Sequence, residues 1–182
     1  VQEASQLLPG ATQQALKVIV HIPNYIPLSE EISKLRALFD QTRMGWGKMK
    51  NKFLKINYEH ILDIDLSNGK PQGLHHDYLG HYENNGILQL EGRVVGKLGE
   101  YGGRPKWGGI GLRDKTYFPQ DWTRRQVMEN ILEAYDNFIA KGIEPLIELD
   151  GKYRIESHSN NGLKIDLIID QKCNLISAFP KL

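Results

Sequence analysis

The stretch TRRQVMENILEAYDNFIAKG, residues 123–142, decides how the rest of the chain is read. Thr123 and Gln126 stand at capping-box spacing, where a threonine hydroxyl and a glutamine amide satisfy each other's otherwise unpaired backbone donors. Val127, Ile131, Leu132, Tyr135, Phe138 and Ile139 return on one side of a 3.6-residue period, and Lys141-Gly142 supplies a basic last turn and a stop. The segments on either side have a different texture. Upstream, residues 59–119 carry short β-type runs broken by glycine: Ile61 to Leu66 alternates and ends at Asn68-Gly69, and Gly86–Leu90 and Arg93–Val95 read as paired strands. Downstream, Tyr153–Glu156, a turn through Asn160-Asn161-Gly162, Leu163–Ile169 and Asn174–Phe179 read as a meander. With no repeating strand–helix–strand rhythm, the fold class is α+β: N-terminal helices, then a split antiparallel sheet with one long helix between its two regions.

Before residue 58 the pattern is helical. Ser29 to Gln41 opens on a capping serine, places Glu30 and Glu31 in the first turn and repeats Ile32, Leu35, Leu38 and Phe39. Pro23 and Pro27 separate this helix from Ala11–Val20, a short helix or irregular lead-in. Lys48, Lys50, Lys52 and Lys55 surround Trp46 and Phe53, a combination that suits phosphate tracking with ring stacking, although a solvated basic face on a packing element is the preferred reading. The expected division is a lead-in over residues 1–57, packing on or preceding a core over 58–182.

Composition narrows the classes of function. At 182 residues and 40% hydrophobic content the chain can bury one principal core, and a net charge of +1 excludes a globally basic nucleic-acid binder, so any polyanion must be met by local patches. The lone Cys173 cannot form an internal disulfide and has no CxxC or neighbouring histidine, so it reads as a structural or merely tolerated thiol. No apolar run approaches the roughly 18 residues of a membrane span and no signal-peptide pattern opens the chain, so a soluble protein without a membrane anchor is expected. The start at Val1 suggests a piece cut from something longer. Gly99 to Gly111, rich in glycine and carrying Arg104, Lys106 and Trp107, lacks both P-loop and dinucleotide-binding spacing and reads as a mobile surface loop.

The chain has six histidines of unequal interest. His21 and His158 sit in turn-like settings. His75, His76 and His81 with Asp77 lack any zinc-site spacing, so neither a metal nor a cofactor is expected. Adjacent side chains on extended backbone point to opposite faces, so only one of His75 and His76 can serve a cleft. His60 and His75 are the pair that suggests chemistry: two imidazoles flanking one phosphate can take a proton from a 2′-hydroxyl and give one to a 5′-oxygen.

The order His60-Ile61, Gly73-Leu74-His75, Lys115-Thr116-Tyr117-Phe118-Pro119 with Trp122, and Ser177-Ala178-Phe179-Pro180-Lys181-Leu182 resembles the EndoU endoribonuclease family from about Tyr58 to Leu182. The resemblance implies His75 as general base and His60 as general acid, with the two roles open to exchange, and Lys115 as the cation that offsets charge on the phosphate. This chain has Asp114-Lys115-Thr116-Tyr117-Phe118-Pro119 where bacterial relatives vary a Lys-Ser-Thr-Phe-Phe-Pro pattern, so Arg113 is an alternative cation and Thr116 an alternative phosphate ligand. Ser177 matches the hydroxyl that helps read the base. Phe179 replaces the usual tyrosine, keeping a stacking ring but deleting a phenolic hydrogen bond, which puts uridine preference in question.

The family's bacterial branch is known largely as toxin domains at the ends of polymorphic and contact-dependent inhibition proteins. The resemblance therefore implies a metal-independent endoribonuclease toxin, delivered as part of a larger secreted protein into a target-cell cytoplasm. It would cut RNA, tRNA among the candidates, to 2′,3′-cyclic phosphate and 5′-hydroxyl ends. A cognate immunity protein would cover the histidine cleft, the chain being otherwise monomeric. The competing class is a catalytically silent RNA- or protein-binding module of the same fold.

Overall fold

The structure, a computed structural model, describes residues 22–45, 53 and 55–182; the expected Ala11–Val20 element and Trp46, Lys48, Lys50 and Lys52 lie outside them. Helix α1, Leu28–Gly45, starts one residue before the expected capping serine and buries Leu28, Leu35 and Phe39. Phe53 is also buried, against Tyr135, so it is a core ring rather than an exposed stacking platform.

The run from Ile61 to Leu66 is a strand only in its second half. Asn57 caps a short helix, α2, Tyr58–Leu62, by accepting from the His60 amide. The alternation therefore begins as the buried face of a helix, Tyr58, Ile61 and Leu62, and only β1, Ile64–Asp65, is extended. It pairs antiparallel with β2, Gln72–Gly73, as Ile64 with Gly73 and Asp65 with Gln72. A 3₁₀ turn at Tyr78–Gly80 and helix α3, His81–Asn84, lead into the first sheet.

That sheet corrects two expectations. Gly86–Leu90 and Arg93–Val95 are not partners but one strand, β3, Leu88–Val95, whose register shifts between Glu91 and Val94, where Gly92 takes a φ of +62°. The glycine-rich Gly99–Gly111 is not a loop: β4, Tyr101–Trp107, is the central strand, with Tyr101 and Trp107 buried. Its partners are β3 on one edge and, on the other, β5, Ile110–Gly111, and β6, Lys115–Tyr117. Glycine is tolerated here because close neighbours fill the space: a Cβ on Gly103 would stand 2.6 Å from the Glu91 carbonyl oxygen.

Helix α4, Arg124–Lys141, has both halves of the Thr123/Gln126 capping box and a left-handed Gly142 at its end. Its buried face adds Met128 and Ala134 to the expected residues. The second sheet, β10-β9-β8-β7, contains the expected meander, β8, Tyr153–His158, β9, Lys164–Ile169, and β10, Leu175–Pro180, and adds a short edge strand that was not expected, β7, Leu146–Ile147. One core lies between α4 and this sheet, through Ile165, Leu167, Ile155 and Ala178, and takes in α1 and α2; a smaller one lies under the first sheet, around Leu74, Leu88 and Tyr101. The observed class is α+β, with the long helix between two antiparallel sheet regions.

Arg124 joins the lead-in to the core. Buried to 2% exposure, it donates to Glu31 at 2.9 Å and to the Ile26 carbonyl, with its guanidinium over the rings of Tyr25 and Tyr78. A charge so placed requires partners, and both come from residues before 32.

Candidate active site

His60 lies in α2, and the chain returns through the β1–β2 hairpin to bring His75 beside it. The return is held by the backbone. Leu74 N–H is shared between the carbonyls of His60 (2.9 Å) and Asp63 (2.8 Å), and His75 N–H donates to Ile61 (2.9 Å). Gly73 and Leu74 both take left-handed φ values, +75° and +57°, and a Cβ on Gly73 would stand 2.2 Å from the His60 carbonyl oxygen. A leucine in that region is strained, and the backbone bonds that hold it there fix the position of the neighbouring His75. The two imidazole centroids end 6.3 Å apart.

The rings differ in proton equipment. His75 Nδ1–H donates to the Thr116 carbonyl at 2.9 Å, which leaves Nε2 as the ring's lone-pair nitrogen. Burial first, then the charges of Lys115 and His60, push its pKa down to about 3, against the hydrogen bond to Thr116. His60 Nδ1 lies 3.5 Å from Asp65 Oδ2. Burial lowers its pKa below the ordinary value while the Asp65 hydrogen bond and charge pull it up. Asp65 is itself held, with Oδ1 accepting from the amide and hydroxyl of Ser67. Lys115 Nζ donates to the Gly73 carbonyl at 2.8 Å, and burial brings its pKa down to about 8.

His60, His75 and Lys115 open on one cavity of about 1010 Å³ between the sheets, which also receives Thr116, Ser177 and Phe179. All six residues singled out in the sequence therefore share one site. Phe179 stands 5.1 Å from the His75 ring, centroid to centroid, and the buried Ser177 Oγ has no hydrogen-bond partner among the described residues. The Thr116 hydroxyl donates to the Pro180 carbonyl and ties β6 to β10, while its own carbonyl holds His75. Arg113 lies exposed on the cavity wall. His76 faces the other way, 1% exposed and packed by Tyr78, as the parity argument requires. Among the described residues no group of three or more His, Cys, Asp or Glu gathers to hold a metal ion, and no helix is long and apolar enough to cross a membrane.

Neither Asp65 nor the placing role of Gly73-Leu74 is among the residues expected from the sequence. Asp65 had a local signal, since Asp-x-Ser is an Asx-turn spacing that orients a carboxylate; the left-handed Leu74 had none.

Two histidines, a half-buried lysine and a serine hydroxyl with no hydrogen-bond partner among the described residues share one cleft, a set of groups able to take and give protons. Residues 55–182 match the family described as bacterial EndoU nuclease, and the chain belongs to that family. A protein named "Toxin" from Bacillus cereus is 29% identical over 136 residues, an alignment covering 71% of this chain and 23% of that protein. The chain thus spans less than a quarter of that relative's length. No solved structure matches it.

Proposed function

We propose that this chain is the endoribonuclease region of a toxin and that it cuts RNA by transesterification. His75 Nε2 takes the proton of a 2′-hydroxyl, the 2′-oxygen attacks the adjacent phosphorus, and the 5′-oxygen leaves with a proton from His60. The products are a 2′,3′-cyclic phosphate and a 5′-hydroxyl. Lys115 offsets the charge that grows on the phosphoryl oxygens, an effect large in a site shielded from water. Asp65 favours the charged form of His60, and the anionic phosphate adds to that effect, so substrate binding loads the acid with its proton. Ser177 and Phe179 hold the base of the attacking nucleotide through a hydroxyl and a ring face. Thr116 acts through its carbonyl, fixing the His75 tautomer. No step above is assigned to a metal.

The observation that carries this reading is the pair of imidazoles on one cavity, one with its lone pair free and the other backed by a carboxylate. The relative's name supports the toxin reading. Structured RNA such as tRNA is the target class, a cognate immunity protein that covers the cleft is the partner, and the target-cell cytoplasm is the place of action. DNA, lacking the 2′-hydroxyl, is not cut. The test is incubation of the purified chain with total RNA beside His75→Ala and His60→Ala. Cyclic-phosphate ends made only by the parent protein are expected; RNA bound but left whole by all three identifies a binding module instead.

A further inference from the structure

The cavity extends well past the histidines. At about 1010 Å³ it stands at the upper end of the roughly 300–1,000 Å³ that accommodates a whole drug-sized ligand, more room than one nucleotide needs. Away from His60 and His75 its wall is the face of the first sheet, where Val94, Gly102 and Thr116 are register partners across β3, β4 and β6. Gly102 contributes no side chain, and the Leu182 methyl lies so close that a Cβ on Gly102 would be 2.8 Å from it. Val94 and Leu182 are 58% and 53% exposed. The result is an apolar shelf with a bare backbone floor, adjoining the position of Lys115.

The charges around this shelf are mostly satisfied. Arg104 pairs with Asp114 at 3.6 Å, Lys106 with Glu91 at 3.0 Å, and Lys181 with Glu156 at 3.3 Å. Arg113 lines the same wall and has no ion-pair partner among the described residues. A flat apolar surface beside an unpaired guanidinium suits one nucleotide, its base or sugar on the aliphatic side chains and its phosphate on the cation.

We infer that Val94, Gly102 and Leu182 with Arg113 form a second nucleotide subsite, which binds a nucleotide flanking the scissile phosphate and selects oligoribonucleotides over dinucleotides. This rests on the RNA reading above, and the test separates the two by measuring binding without cleavage. Fluorescently labelled oligoribonucleotides of two and of four residues, carrying 2′-O-methyl groups so that they cannot react, are titrated by anisotropy over a range of salt. The parent protein binds the four-residue probe at least about tenfold more tightly than the two-residue probe. Arg113→Gln removes most of that preference and lowers the salt slope for the longer probe by about 0.7, the value for one single-strand phosphate contact. Val94→Ser weakens the longer probe about threefold with the slope unchanged, because it removes apolar contact and no charge.

Equal affinity for both lengths in the parent protein overturns the subsite, as does an Arg113→Gln variant with preference and slope intact. An Arg113→Gln variant that loses both probes equally places the guanidinium at the scissile phosphate, which also overturns it. Length preference in a protein that leaves unmodified RNA uncut sinks the cleavage reading and leaves the subsite standing.

Discussion

Gly73→Ala tests how the proposed catalytic pair is placed. A Cβ at residue 73 would meet the His60 carbonyl oxygen at 2.2 Å, against a lower bound of 3.0 Å for such contacts, so the two must separate by about 0.8 Å. That carbonyl accepts the Leu74 amide, so the movement falls on the bond that seats His75 against His60. A φ of +75° adds a left-handed penalty of about 1–2 kcal/mol for a residue with a side chain. Stability should therefore drop modestly, with Tm lower by about 2–8 °C for a chain of this size. Activity should drop far more, because a misplacement near 1 Å between reacting groups costs about a hundredfold. Single-turnover cleavage of a fluorogenic oligoribonucleotide gives the rate, and circular dichroism reports the fold. A folded Gly73→Ala protein that cleaves within threefold of the parent would show that this close approach does not set the spacing of the two histidines.

Lys115→Met should lower kcat by about 10²–10³ while changing KM little, since the ammonium is assigned to charge that develops in the transition state; a drop under tenfold removes that assignment. The pH profile of kcat/KM reports the free protein: the proposed base His75 is neutral above about pH 3, and the proposed acid His60 loses its proton as pH rises through a pKa lying below the ordinary 6.5. Activity on short substrates should peak in the acid range, with Asp65→Asn moving the alkaline limb further down; an alkaline limb above pH 7 contradicts this. His76 has its folded pKa depressed to about 3, by burial first and Arg124 second, so the stability it contributes is full above 6.5 and is lost at about 1.4 kcal/mol per pH unit on acidification through that window. The urea midpoint of His76→Phe should accordingly fall less between pH 7 and pH 5 than that of the parent, and parallel curves would refute it. Arg124→Met removes the donors to Glu31 and Ile26 and strands a partly buried carboxylate, for about 3 kcal/mol and a Tm lower by about 6–12 °C; a shift under 2 °C would mean that the lead-in contributes nothing there.

The parts legible in the sequence share a physical character. α4 and the meander were readable because local patterning and tertiary demand agree: the capping box, the 3.6 period and the Asn160-Asn161-Gly162 turn specify what the core then uses. The histidine pair was legible as two motifs in order, and His75 was separable from His76 because alternation allows one of them into a cleft. Misreadings arose where one signal serves two structures. Ile61-Leu62 continues an alternating run into β1, yet the Asn57 cap turns those residues into helix. Glycines at 102 and 103 read as loop because intrinsic propensity is against them in a strand, whereas here they admit Leu182 and the Glu91 carbonyl at close range. The buried role of Arg124 depends on partners nearly a hundred residues away, which no window along the chain contains.

Three bonds cross-link the proposed catalytic residues into one triangle: Leu74 N–H to the His60 carbonyl, His75 Nδ1–H to Thr116, and Lys115 Nζ to Gly73. Ser177 and Phe179 are joined to that triangle more loosely, through the ring contact with His75 and the Thr116 bond to Pro180. On the proposed mechanism, substitutions along β10 would alter which base is admitted before they disturb the placing of the two histidines, so nucleotide choice could be retuned with His60, His75 and Lys115 left in position.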